Sequence, residues 1–290
     1  MPVIPIDSQD DERLADYRNV PDPELVERRG IFVAEGRFVV RRLLEESPLA
    51  ARSVMVTDAA LASITDALAA RPNLPVYRVS QTVMNGVTGF NIHRGCLAIG
   101  ERPAPAPWSA LVAHAQTILV LERIGNADNV GGIFRNAIAF GADAILIGPA
   151  CADPLYRKAI RTSMGAALLV PFAHAEPWPD ALRQLRSIGF ASVALTPSAD
   201  APPLRDVAAR LTGRPAPSGV EGLAPSGVEG LAPSGVEGPV AIVLGHEGEG
   251  LTAEALEACE HRARIPMSGF DSLNVASAAA VALYELSRDA

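Results

Sequence analysis

The second half of the chain is built on short, almost wholly apolar segments, and these restrict its fold more than any other feature. Residues 117–122 read TILVLE, 144–147 read AILI and 240–244 read VAIVL. Apolar runs of this length without polar alternation mark strands covered on both faces. Residues 168–171, 192–195 and 262–265 also read as strands. Helical spacing occupies 130–140, 154–164, 179–188, 252–259 and 273–286 between them. Alternation of this kind predicts an α/β fold around a parallel sheet.

The first half repeats the rhythm on a smaller scale. Strands are expected at 31–35, 52–57, 76–79 and 96–100, and helices at 36–46 and 59–70. In the first helix Phe38, Val39, Leu43 and Leu44 fall near helical spacing. Residues 1–29 read as a polar, acidic extension with a short helix at 22–29. The run ERPAPAPW at 101–108 carries three prolines and reads as a linker. The expected division is an extension at 1–29, an α/β domain at 30–103, a linker at 104–112 and a larger α/β domain at 113–290. Within the last, 216–239 hold three copies of an octapeptide, APSGVEGL twice and then APSGVEGP. The period is too short for known repeat folds and the unit too poor in apolar surface to pack, so a flexible insert is expected.

Composition narrows the function classes. Hydrophobic residues make up 49% of the chain, enough for a sizeable core. No apolar run is long enough for a membrane span, and the acidic start lacks a secretory pattern; a cytoplasmic protein is expected. Cys96, Cys151 and Cys259 are far apart and read as ordinary thiols, with neither disulfide nor metal site expected. The net charge of −8 argues mildly against nucleic acid, although the field over a local cleft matters more than the sum. Lys158 is the only lysine; the other cations are arginines, which suit bidentate phosphate contacts.

Three Gly/Asn-rich segments stand where strands end, the usual place for ligands in open α/β sheets. In ERIGNADNVGGIFRNAIAFGA, residues 122–142, Asp128 or Asn129 is expected to cap the helix. Gly131 and Gly132 would let a ligand approach the backbone, and Arg135 lies one turn in. In VLGHEGEGL, residues 243–251, Gly245, Gly248 and Gly250 surround Glu247. This turn has neither the GK[ST] of a phosphate loop nor the spacing of a dinucleotide fingerprint. In IPMSGFDSLNVA, residues 265–276, Ser272 is expected to cap the last helix, with Leu273 and Asn274 in its first turn.

In order and wording the three segments resemble one family. N-x-G-x-x-x-R at 129–135, L-G-x-E-G-x-G-L at 244–251 and I-P-M…S-L-N-V-A at 265–276 are similar to the signature motifs of the SpoU/TrmH branch of the SPOUT RNA methyltransferases. F-V-A-E-G-R at 32–37 and G-F-N-I-H-R-G at 89–95 resemble the small L30e-like substrate-binding domain often joined to them. The resemblance implies a C-terminal α/β domain with a deep trefoil knot, a homodimer, S-adenosylmethionine as cofactor, no metal, and methylation of ribose 2′-hydroxyls in RNA. It implies catalytic roles for Arg135, Asn129, Glu247, Ser272 and Asn274. It places Thr196, Leu244, Gly245, Glu247, Gly250, Ile265, Met267, Leu273 and Asn274 at the cofactor. The same reading assigns RNA contacts to Arg37, Asn91, His93, Arg94, Arg157, Lys158 and Arg161, with Arg41 and Arg42 beside them. Ribosomal RNA is the expected substrate. The alternatives are a transfer RNA 2′-O-methyltransferase, a non-catalytic RNA-binding or ribosome-assembly protein on the same fold, and an unrelated nucleotide-binding α/β protein.

Overall fold

The computed structural model describes residues 3–19, 21–89, 91–92, 95–212, 238–269 and 272–286. His93, Arg94 and residues 216–237 of the octapeptide repeat lie outside these. The described residues fall into two compact units. Met1–Pro105 forms the first together with Asn126–Arg135 and Ala152–Pro171, and Ala106–Gly125, Asn136–Cys151 and Phe172–Ala290 form the second.

The first unit begins with strand β1 (Val3–Ile6), followed by β2 (Ile31–Glu35), helix α1 (Arg37–Glu45) and β3 (Ala51–Val56). Then come α2 (Asp58–Ala62), α3 (Thr65–Ala69), β4 (Val76–Val79), α4 (Gln81–Thr88) and β5 (Cys96–Glu101). The sheet order is β1-β4-β3-β5-β2, with β4 parallel to β1 and β3, and β5 antiparallel to β3 and β2. Residues 3–29 are thus more than the extension expected from sequence. They supply β1, and Leu14, Tyr17 and Leu25 join Met55, Met84 and Ile99 in the core. Pro5 disguises β1 as a loop, yet a strand at the sheet edge tolerates a residue without an N–H. The single helix expected at 59–70 is two: the Ser63 hydroxyl donates to Ala60 O at 2.7 Å and the Thr65 hydroxyl to Leu61 O at 2.8 Å where the helix breaks.

The rest of the chain adds α5 (Trp108–Val112), β6 (Thr117–Leu121), α6 (Ala127–Ala139), β7 (Ala144–Ile147) and α7 (Arg157–Thr162). It continues with β8 (Phe172–His174), α8 (Asp180–Ser187), β9 (Ala191–Leu195) and α9 (Leu204–Thr212). It ends with β10 (Val240–Leu244), α10 (Ala253–Ala258), β11 (His261–Ala263) and α11 (Val275–Leu286). The second sheet runs β11-β9-β10-β6-β7-β8, with every pairing parallel. Every residue of β6, β7 and β10 is buried, as the apolar runs predict. The strand expected at 168–171 is instead a 3-10 turn, Ala166–Leu168, and β8 follows it. The linker also ends early. Pro107 leads directly into α5, where Trp108 is buried and its indole N–H donates to Glu176 O at 3.2 Å.

A cleft at the carboxyl ends of the parallel strands

Strands β9, β10 and β11 are neighbours, and the segments leaving their carboxyl ends enclose a cleft of about 570 Å³. That volume lies within the roughly 300–1,000 Å³ usual for small-molecule sites. After β9, the Thr196 N–H donates to Ala263 O at 3.0 Å, and the Thr196 hydroxyl accepts from the Ser198 N–H at 3.2 Å. Both residues line the cleft.

After β10 the chain makes the glycine-rich turn. His246 and Gly250 exchange two backbone hydrogen bonds, at 3.1 and 2.9 Å. Inside the turn, His246 Nδ1 accepts from the Gly248 and Glu249 N–H groups at 3.0 and 3.1 Å. Two of its glycines are needed for separate reasons. A Cβ on Gly245 would lie 2.5 Å from Gly250 C and Leu251 N, and Gly250 has φ +71°. Glu249 pairs with Arg123. Glu247 is exposed on the cleft wall and, among the described residues, has no ion-pair partner.

After β11, Ile265, Met267, Ser272 and Leu273 complete the wall. Met267 and Leu273 are 36% and 41% exposed, so the rim presents apolar surface to the cleft. Asn274, expected at the cofactor, is not among the lining residues. Its Oδ1 accepts from the N–H groups of Ala276 and Ser277 at 3.0 and 3.3 Å, which makes it the cap of α11 in place of Ser272. The remaining expected cofactor residues, Leu244, Gly245, Glu247 and Gly250, do line the cleft.

Asn129 and Arg135 stand on α6, within the part that belongs to the first unit. Asn129 is buried and Arg135 exposed. The cap of α6 is Asn126, whose Oδ1 accepts from the Asp128 N–H at 2.9 Å, rather than Asp128 or Asn129. Gly131 serves packing and not a ligand: a Cβ there would lie 2.6 Å from Ala159 O on α7. Asp128 pairs with Lys158 at 2.8 Å and accepts from the Thr162 hydroxyl at 2.9 Å, and these two bonds hold its carboxyl below the usual range.

Several cations expected to face RNA are already engaged. Arg157 pairs with Asp22 at 2.7 Å, and Arg41 with Asp66 and Glu45, each at 2.6 Å. Arg42 donates to Met164 O at 2.7 Å and lies over the Phe38 ring. Arg37, Arg135 and Arg161 are exposed and, among the described residues, without ion pairs; Asn91 is also exposed. Sequence reasoning passed over Glu122, which is fully buried beneath the turn, and over the role of His246 as an internal acceptor. The available signal for Glu122 was a lone carboxylate closing an apolar strand.

Comparisons with known proteins agree on one family. Residues 116–284 match the SpoU rRNA Methylase family. An uncharacterized tRNA/rRNA methyltransferase of Mycobacterium tuberculosis is 41% identical over 286 residues, which cover 96% of this chain and 90% of the relative. The 23S rRNA (guanosine(2553)-2′-O)-methyltransferase of Bacillus subtilis is 23% identical over 282 residues, covering 97% of this chain and 98% of that one. The solved structure of an AdoMet-bound rRNA methyltransferase from Sinorhizobium meliloti has the same fold, with TM-score 0.76 at 24% identity, covering 99% of this chain and 98% of that one. The chain belongs to the SpoU rRNA methylase family and is an RNA methyltransferase of that family.

Proposed function

We propose that the chain transfers a methyl group from S-adenosylmethionine to a ribose 2′-hydroxyl of RNA, with ribosomal RNA as substrate. One observation carries the reading: the segments that match the family's second and third motifs leave β10 and β11, the two strands that flank β9, and line a single cleft. The residues present fit the cofactor. Thr196, Gly245 and Ile265 bring the chain close along the cleft wall, Met267 and Leu273 offer apolar cover, and Glu247, without an ion-pair partner among the described residues, supplies a carboxylate for a cationic ligand. When bound, the cofactor supplies an electrophilic methyl group and no metal is needed.

The chain's own part is to hold the hydroxyl and manage its charge. A ribose hydroxyl is a weak nucleophile until its proton is drawn away. Arg135, with a guanidinium that stays charged below about pH 12, orients the hydroxyl and stabilises the developing negative charge. A phosphate of the RNA accepts the proton. Arg37 and Arg161, exposed and without ion pairs among the described residues, take further phosphate contacts, and Asn91, His93 and Arg94 join Arg37 from the L30e-like domain. The reading extends to a trefoil knot, a cytoplasmic homodimer, and roles for Ser272 and Asn129 at the active site. Ile138, Val281 and Tyr284 expose apolar surface on α6 and α11, which suits self-association.

Calorimetric titration with S-adenosylmethionine tests the cofactor assignment. The wild type binds one equivalent per chain, and Glu247→Ala binds about tenfold or more weakly through loss of a charged partner. No binding by the folded wild type overturns the assignment.

A further inference from the structure

Both stems of the glycine-rich turn meet at one residue, Glu122, one through its backbone N–H and the other through its carboxylate. Where the turn leaves β10, the Glu122 N–H donates to Leu244 O at 2.8 Å. Where it ends, Glu122 Oε2 accepts from the Thr252 N–H at 2.9 Å and Oε1 from the Thr252 hydroxyl at 2.7 Å. Oε1 also accepts from the Trp178 indole N–H at 2.9 Å. The next residue, Arg123, pairs with Glu249 inside the turn.

Glu122 is fully buried and, among the described residues, has no cationic partner. A core that needed only bulk there would use an apolar side chain, since burying a carboxylate is costly unless donors surround it. Here three donors surround it, and two belong to Thr252. The Thr252 hydroxyl has no freedom left. It donates to Glu122 and accepts from the Ala255 N–H at 3.2 Å, capping α10.

We infer that Glu122 is a positioning residue for the cofactor cleft: it fixes the span between the two stems and so the backbone that lines the cleft. The inference rests on the reading that this cleft holds S-adenosylmethionine. Glutamine at 122 matches the shape but turns an amide NH₂ toward one of the donors, so it unlatches a stem without opening a cavity.

The test compares the wild type with Glu122→Gln, Thr252→Val and Thr252→Ser. It uses amide exchange of the 245–251 turn, calorimetry with S-adenosylmethionine, and methyl-transfer kinetics on RNA. In Glu122→Gln and Thr252→Val, exchange in the turn is expected to speed up about tenfold while β10 stays protected. Affinity for S-adenosylmethionine falls about tenfold, and its KM rises while kcat at saturation changes less than about twofold. Thr252→Ser keeps the hydroxyl and restores both. A folded Glu122→Gln chain with turn exchange and affinity like the wild type overturns the inference. If Glu122→Gln does not fold, Thr252→Val decides by the same measures. If the wild type itself binds no S-adenosylmethionine, the cofactor assignment fails instead, and turn exchange alone judges Glu122.

Discussion

Single atoms decide much of this cleft. Gly245 has backbone 2.5 Å from where a Cβ would stand, so Gly245→Ala forces the turn apart at its neck. The expected result is a chain with a thermal midpoint near that of the wild type and cofactor binding lost; a wild-type isotherm would contradict it. The three thiols show the opposite, purely structural, case. Burial pushes Cys151 up to about 11 and Cys96 and Cys259 up to about 12. Unfolded cysteines ionise near pH 8.5, so these native thiols stay neutral at pH 8–9 and their contribution to stability is lost as pH rises further. Thiol titration at pH 8 is therefore expected to be slow in the native chain and fast in guanidinium; fast native labelling would refute the burial. At this scale the sequence displayed Glu247 and Arg135 through their motifs. It hid Glu122, because nothing local says which donors a buried carboxylate meets across the sheet.

Elements were legible where burial alone determines them. Strands β6, β7 and β10 are apolar on both faces, and their runs announce them. Edge and end positions were not legible. Strand β1 holds Pro5, the apolar run before β8 winds into a 3-10 turn, and α11 is capped by Asn274, two residues later than Ser272 suggests. In each case a tertiary partner or a competing side-chain bond outweighs local pattern. The cap gives a direct prediction. Asn274→Ala removes the acceptor for two amides at the start of α11 and is expected to cost about 1 kcal/mol of stability. Chemical denaturation of Asn274→Ala beside Asn274→Asp measures it; equal stability of Asn274→Ala and wild type would show that the cap carries no weight.

At the scale of the whole molecule, sequence and structure agree on two α/β sheets but differ on what builds them. The first unit takes in residues 3–29 and two segments from beyond the proline-rich run, a long-range arrangement that no local composition shift marks. What unites the chain functionally is its membership of an RNA methyltransferase family and the proposal that it acts on the ribose. The most direct test supplies ribosomal RNA and S-adenosylmethionine labelled in the methyl group, then hydrolyses the RNA with alkali. Alkaline cleavage needs a free 2′-hydroxyl to attack the neighbouring phosphodiester, so a 2′-O-methyl group leaves an uncut dinucleotide. The account predicts label in alkali-resistant dinucleotides, and none with Arg135→Ala. Label in mononucleotides, the mark of a methylated base, would contradict it.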